Sequence, residues 1–261
     1  MTRSVLVCAL ALLLGAREGR AQEFADAAPT GERSLAALLE RGLPAPASGL
    51  GATALATRWH GLAEIQTRSL AIGAGIRSLR IAAGVSQTGD AELGWSQLGF
   101  AAGAASERGG VAFRGALRRR DGLATAREGI GGEVGAGAWV GAAPGFVVWT
   151  TAPQLWTRGD PPPLERWLEI GARLEWEEAQ LWLARAAAPG APRGLRAEHL
   201  AGLRVPAGTA AVWIEARDHP ARGTLGVAVT VSELRVSAAV EGHPVLGETV
   251  RLTLSWNGGS S

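Results

Sequence analysis

The chain has 261 residues, 47% of them apolar, with 37 glycines, 10 tryptophans and a single cysteine, Cys8. Its formal charge is +2, but Arg3, Arg17 and Arg20 against Glu18 put a net +2 into the first 21 residues, which leaves 2 − 2 = 0 for the remainder. A balanced chain has no electrostatic footprint for phosphate, which argues against nucleic acid as a partner, and the lack of any later thiol excludes a disulfide scaffold, a cysteine metal site and a cysteine nucleophile.

The N-terminus reads as a charged start at Arg3, an apolar run over residues 5–14 and an A-x-A-like site at Gly19, Arg20 and Ala21, the layout of a Sec-type signal peptide. The run falls short of the roughly 20 apolar residues that a spanning helix needs. Cleavage is expected after Ala21, with Ala16 as a second site. Cys8 lies inside the run, preceded by Val5, Leu6 and Val7 rather than the small residue of a lipoprotein signal.

Residues 22–66 are expected to form an N-terminal segment with short helices. One helix is expected over 34–41, with Ser34 as its cap and Gly42 as its stop. A second short helical or turn segment is expected over 52–65.

From residue 67 the pattern changes to period two and holds to Trp256. Leu70, Ile72, Ala74 and Ile76 alternate with small or polar residues, as do Leu79, Ile81, Ala83 and Val85 across an Arg77-Ser78 turn. Leu168, Ile170, Ala172, Leu174 and Trp176 face away from Glu169, Arg173 and Glu175. Leu225, Val227, Val229 and Val231 form the next clear set, then Leu234, Val236, Ala238 and Val240, and finally Val250, Leu252, Leu254 and Trp256. Weaker strands fit around 97–105, 111–119, 130–140, 145–151, 179–186, 195–205 and 209–217, punctuated by Gly, Pro and Asp turns.

About thirteen strands of roughly 8 to 11 residues result, the length a tilted strand needs to cross a bilayer. Single-chain bacterial barrels favour even numbers, so 12 or 14 strands are expected in an all-β, antiparallel up-and-down transmembrane barrel over 67–261. The polar face carries Gly73, Gly75, Ala82, Gly84, Gly135, Gly137, Gly226 and Ala228, which suit a crowded lumen better than the exterior of a sandwich. Arg80, Arg114, Arg118, Glu133, Glu169, Arg173, Glu215, Arg235 and Arg251 are the lumen candidates. Tyrosine is absent, so interfacial aromatic roles fall to tryptophan, and Trp139, Trp149, Trp176 and Trp256 are the girdle candidates.

The end of the chain places Leu252, Leu254 and Trp256 at alternate positions. This resembles the terminal-strand signal read by the outer-membrane barrel assembly machinery, here followed by residues 257–261. No nucleophile elbow, H-E-x-x-H, P-loop or complete dinucleotide fingerprint occurs, and His60, His199, His219 and His243 share no ligand spacing. No catalysis, metal or cofactor is therefore expected. An apolar face turned inward in a soluble, secreted all-β binding module would give the same alternation, and would bury Leu225, Val227 and Val229 in its core.

Trp59-His60-Gly61-Leu62-Ala63, followed by strands with Gly73-Ala74-Gly75 and Gly84-Val85-Ser86, resembles the start of FadL-type and PorV-type outer-membrane barrels of Gram-negative bacteria. There a short helical segment ends in an aromatic-Asn-Pro-Ala-Gly-Leu motif before the first strands; the Asn-Pro-Ala part has no counterpart here. The resemblance implies an N-terminal segment that partly fills the lumen, with Trp59 packing it beneath the barrel. It also implies outer-membrane lipid as surroundings and either passage of small or hydrophobic compounds or a scaffold role with a secretion partner.

Overall fold

The computed structural model describes residues 27–45, 49–62, 65–89, 94–121, 129–159, 168–187, 197–218 and 221–258. The signal peptide expected over 1–21 lies outside them. One helix, α1 (Leu35–Arg41), precedes fourteen strands: β1 (Gly49–Arg58), β2 (Gln66–Ile76), β3 (Leu79–Gly89), β4 (Gly94–Ala105), β5 (Gly109–Asp121), β6 (Ile130–Ala143), β7 (Phe146–Gly159), β8 (Leu168–Trp176), β9 (Ala179–Ala187), β10 (Glu198–Ala207), β11 (Ala210–Asp218), β12 (Ala221–Val231), β13 (Leu234–His243) and β14 (Gly247–Gly258). Each pairs antiparallel with the next, and β14 pairs with β1 from Leu50↔Gly258 to Arg58↔Val250, closing the barrel. Closure gives every strand a neighbour on both sides; among the described residues β7 meets β8 only from Phe146 to Thr151, and the β6–β7 ladder shifts register between Val134 and Ala136 and between Gly141 and Ala143.

Two-residue connections at 77–78, 144–145, 177–178, 208–209 and 232–233 gather at one end. They are tight because the chain adopts positive φ there, at Arg77 (54°), Gly145 (71°), Gly208 (62°) and Ser232 (54°), the backbone that lets a hairpin turn follow the strand twist. The strand ends Asp121 and Ile130, Gly159 and Leu168, and Ala187 and Glu198, which flank the longer connections, lie at the other, long-loop end. Chain entry at Gly49 and the close of β14 at Gly258 belong to the tight-turn end.

Polarity is inverted relative to a soluble protein. Leu70, Ile72, Phe113, Ile170, Ile214 and Leu225 point outward and are 55–67% exposed, while the inner face carries Arg, Glu, Gln, Thr and Ser. Leu225, Val227 and Val229 are 59%, 44% and 42% exposed, which removes the soluble-module alternative. Among the described residues no helix is long and apolar enough to cross a membrane, which bears on helices alone.

One expected element is corrected. The helical or turn segment placed over 52–65, ahead of a barrel beginning at 67, gives way to strand β1, so the barrel begins at Gly49. Its pattern misled because Ala52, Ala54 and Ala56 lie on the outer face while Leu55 is buried inside against α1. The larger apolar side chain is on the wrong face for a simple inside-polar rule. Trp59-His60-Gly61-Leu62 consequently follows β1 and leads to β2 at the long-loop end, rather than preceding the first strand beneath the barrel; the Trp59 indole donates to Thr67 Oγ1 at 2.8 Å.

Candidate functional site: the plugged lumen

The segment 27–45 runs inside the barrel. Helix α1 starts where the Ser34 side chain accepts from the Ala37 amide, and it stops at Gly42, whose φ of 69° lets the cap amides reach the Ala37 and Leu38 carbonyls. These are the N-cap and C-cap chemistry that set a seven-residue helix in place. Ala36, Ala37, Leu38 and Leu39 are buried. Leu38 and Leu39 pack with Leu55, Ala71, Ala82, Ala101 and Ala112 of the wall, and burying each leucine stabilises the docked state by about 1.5–3 kcal/mol.

Glycines make the room. A Cβ on Gly137 would overlap the Arg41 carbonyl and the Gly42 backbone, and one on Gly73 would overlap Leu35. The wall also holds the plug by hydrogen bonds. Ala27 N donates to Thr253 Oγ1 (2.8 Å), Thr30 N to Glu215 Oε2 (3.1 Å), Arg173 to the Gly31 carbonyl (3.1 Å), Arg114 Nε to the Leu39 carbonyl (2.6 Å), Trp139 Nε1 to the Pro44 carbonyl (2.9 Å) and Arg80 Nε to the Ala45 carbonyl (2.8 Å). Charge adds to this. Glu32 is clamped by Arg235, with Arg204 at 3.8 Å on its other oxygen, and Arg41 meets Glu169 at 3.4 Å. Burial alone would raise the Glu32 pKa, but the guanidinium of Arg235, then those of Arg204 and Arg173, outweigh it and hold the carboxyl below its ordinary value.

The structure places all nine charged candidates on the inner face. Arg80, Glu169, Arg173 and Arg235 hold the plug, and the other five belong to two wall networks. On the β4–β7 side, Arg114 and Arg118 share Glu133 (2.7 and 3.3 Å), with Gln97 and Gln154 completing the network. On the β10–β14 side, Glu215 and Glu198 flank Arg217 (2.7 and 2.9 Å), and Arg222 links Glu198 to Glu241 (2.9 and 3.4 Å). Arg251 meets Glu241 at 3.2 Å. Sequence reasoning missed Glu198, Arg204, Arg217, Arg222 and Glu241; for Arg217 the signal was its strand parity with Glu215, and for Glu241 its parity with Arg235. Thr224, opposite Glu241, and Gly223 broke up the pattern near the start of β12.

Two girdle candidates are corrected. Trp139 and Trp149 are 4% and 2% exposed and lie inside, because they share strand parity with Glu133 and Thr151 respectively. Trp176 and Trp256 are outside at the tight-turn end, 46% and 38% exposed. The inner tryptophans follow a rule that sequence inspection overlooked. Trp149, Trp182 and Trp213 stand directly opposite Gly171, Gly202 and Gly226 on the next strand, and each indole lies where the missing Cβ would be. Trp149 and Trp182 also donate to Glu169 Oε1 (3.1 Å) and Glu215 Oε2 (3.2 Å).

Between plug and wall a cavity of about 30 Å³ remains, lined among others by Glu32, Arg41, Trp213, Glu215, Arg217 and Arg251, room for a few waters at most. Among the described residues no three His, Cys, Asp or Glu side chains converge as a metal site.

The class defined by this geometry is a closed fourteen-stranded antiparallel barrel with a charged lumen occupied by its own N-terminal segment. No family model and no curated protein matches the chain. Among solved structures, the chain is similar to the KdgM porin, with a TM-score of 0.47 and 5% identity over 79% of this chain and 98% of that one. It is also similar to engineered variants of Rhodopseudomonas blastica porin, one of them with a TM-score of 0.39 and 10% identity over 80% of this chain and 98% of that one.

Proposed function

We propose that this chain is an outer-membrane channel that its N-terminal segment holds shut, exported through the leader at 1–21. The observation that carries the reading is the inverted polarity of a closed barrel. A belt of outward Leu, Ile, Val and Phe encircles it, far beyond the few hundred Å² of contiguous apolar surface that a soluble monomer exposes, and only hydrocarbon removes that surface from water. The strands, 9 to 14 residues long, suffice to span a bilayer at a barrel's tilt. Leu252, Leu254 and Trp256 face outward on β14, where the assembly machinery would read them.

The lining argues for the class of solute. Inward Arg and Glu side chains bound to one another favour small polar or charged solutes over the hydrophobic compounds that a FadL-type relationship implies, since an apolar guest would desolvate these charges. Opening requires the plug to shift. Recovery in the outer-membrane fraction after carbonate washing, heat-modifiable migration on a detergent gel and closed-to-open current steps in a planar bilayer are the expected results. A protein released by carbonate would refute the reading.

A further inference from the structure

The outer face differs between its two ends. Among the described residues at the long-loop end, Arg58, Arg68, Arg119, Arg158 and Arg185 all point outward and are exposed, against two exposed acids, Asp218 and Glu248. The balance is 5 − 2 = +3. Asp218 is held by the His199 ring at 2.7 Å. At the tight-turn end Arg77 and Arg108 stand against Glu107, Glu177, Glu178 and Glu233, a balance of 2 − 4 = −2.

The arginines are ordered by register. Arg68 is opposite Gln87, Gln87 opposite Ser96, and Ser96 opposite Arg119, one polar row across β2 to β5. Arg58 is next to it on β1, two residues beyond the Ala56 that faces Arg68. Two residues further into the barrel lies a second row, Leu70, Val85, Leu98 and Leu117, in the same register and 48–62% exposed. With strands about 4.8 Å apart, Arg68 and Arg119 stand roughly 14 Å from each other.

Arginines directly above an apolar belt have aliphatic stems that lie along it and guanidinium groups at headgroup depth. Among the described residues Arg58, Arg68, Arg158 and Arg185 have no carboxylate partner. A planar guanidinium beside lipid matches a phosphate bidentately, and clustered basic residues at a membrane surface attract anionic lipid. We infer that this arginine row binds phosphate-bearing anionic lipid headgroups in the leaflet at the long-loop end, with Arg58 and Arg68, neighbours on β1 and β2, as the central ligands. The inference rests on the membrane reading above.

The test uses the full barrel in phosphatidylcholine vesicles carrying trace spin-labelled phosphatidylglycerol or spin-labelled phosphatidylcholine, with the motionally restricted lipid fraction as readout. The native protein should favour phosphatidylglycerol by about threefold. Arg58→Gln with Arg68→Gln should abolish the preference while heat-modifiable migration is retained, and Arg77→Gln with Arg108→Gln at the other end should keep it. Equal association of both lipids with a protein that floats with the vesicles overturns this inference alone. A preference that survives R58Q/R68Q, or is lost equally in R77Q/R108Q, also overturns it. A protein that does not float with vesicles overturns the membrane reading and this inference with it.

Discussion

At the scale of single residues, Glu32 is the pin of the plug. Its carboxylate sits between Arg235 and Arg204, and its pKa is held below the ordinary value of 4.5 because those guanidinium groups outweigh its burial. A carboxyl with a depressed folded-state pKa contributes stability that is fully present above the unfolded value and is lost as pH falls through the folded one. Closure should therefore be constant from pH 8 to about 5 and weaken below about 4. Glu32→Gln should open the channel at neutral pH and flatten that acid response, since breaking a buried pair leaves uncompensated charge at a cost of about 3–5 kcal/mol. Open probability in planar bilayers across pH reads both effects, and an E32Q channel that stays shut at pH 7 would count against Glu32 as the pin. Gly226 is a second decisive residue, because a Cβ there would overlap the Trp213 indole, whereas Gly223 on the same strand has nothing within 4 Å. Gly226→Ala should cost about 1–3 kcal/mol in urea unfolding from detergent, with Gly223→Ala within about 0.5 kcal/mol of the native protein.

At the scale of elements, strand parity was legible wherever large apolar residues faced out, and thirteen of the fourteen strands could be found that way. It failed on β1, where the central outward positions are alanines and Leu55 turns inward into the cluster that holds Leu39 of the plug. Only knowledge that the lumen is occupied explains an inward leucine. The inner tryptophans failed for a related reason. Trp139 has the same parity as Glu133, so alternation alone places it inside, but its amphipathic character suggested an interface. What fixes it is a partner distant in sequence, the Pro44 carbonyl of the plug. Helix α1 was legible because its caps are local, at Ser34 and Gly42; its seat was not, since that depends on Gly73 and Gly137 across the barrel. Gly137→Leu tests the seat. The new side chain would displace the Arg41–Gly42 turn while the β5–β6–β7 ladder persists, so heat-modifiable migration should survive and the resting current should rise. A variant that migrates normally yet stays as closed as the native protein would show that this turn does not seal the lumen.

At the scale of the whole molecule, the plug hides an uneven charge. Inward-facing Arg80, Arg114, Arg118, Arg173, Arg204, Arg217, Arg222, Arg235 and Arg251 outnumber Glu133, Glu169, Glu175, Glu198, Glu215 and Glu241, which gives 9 − 6 = +3 among the described strand side chains. The plug contributes Arg33 and Arg41 against Glu32 and Glu40, a balance of zero, so its removal leaves the wall's excess untouched while taking Glu32 away from Arg235 and Arg204. A narrow passage lined by surplus guanidinium raises the local concentration of anions and repels cations. Deleting residues 27–45 should thus give a barrel that still closes through the β1–β14 ladder and conducts continuously. It should select chloride over potassium, as measured by the reversal potential across a salt gradient. The selectivity should fade as ionic strength rises from 0.1 M, where screening extends over about 10 Å, to 1 M, where it extends over about 3 Å. A cation-selective deletion variant would mean that the arginines of the wall remain neutralised by their glutamates and that the excess is not felt by a passing ion.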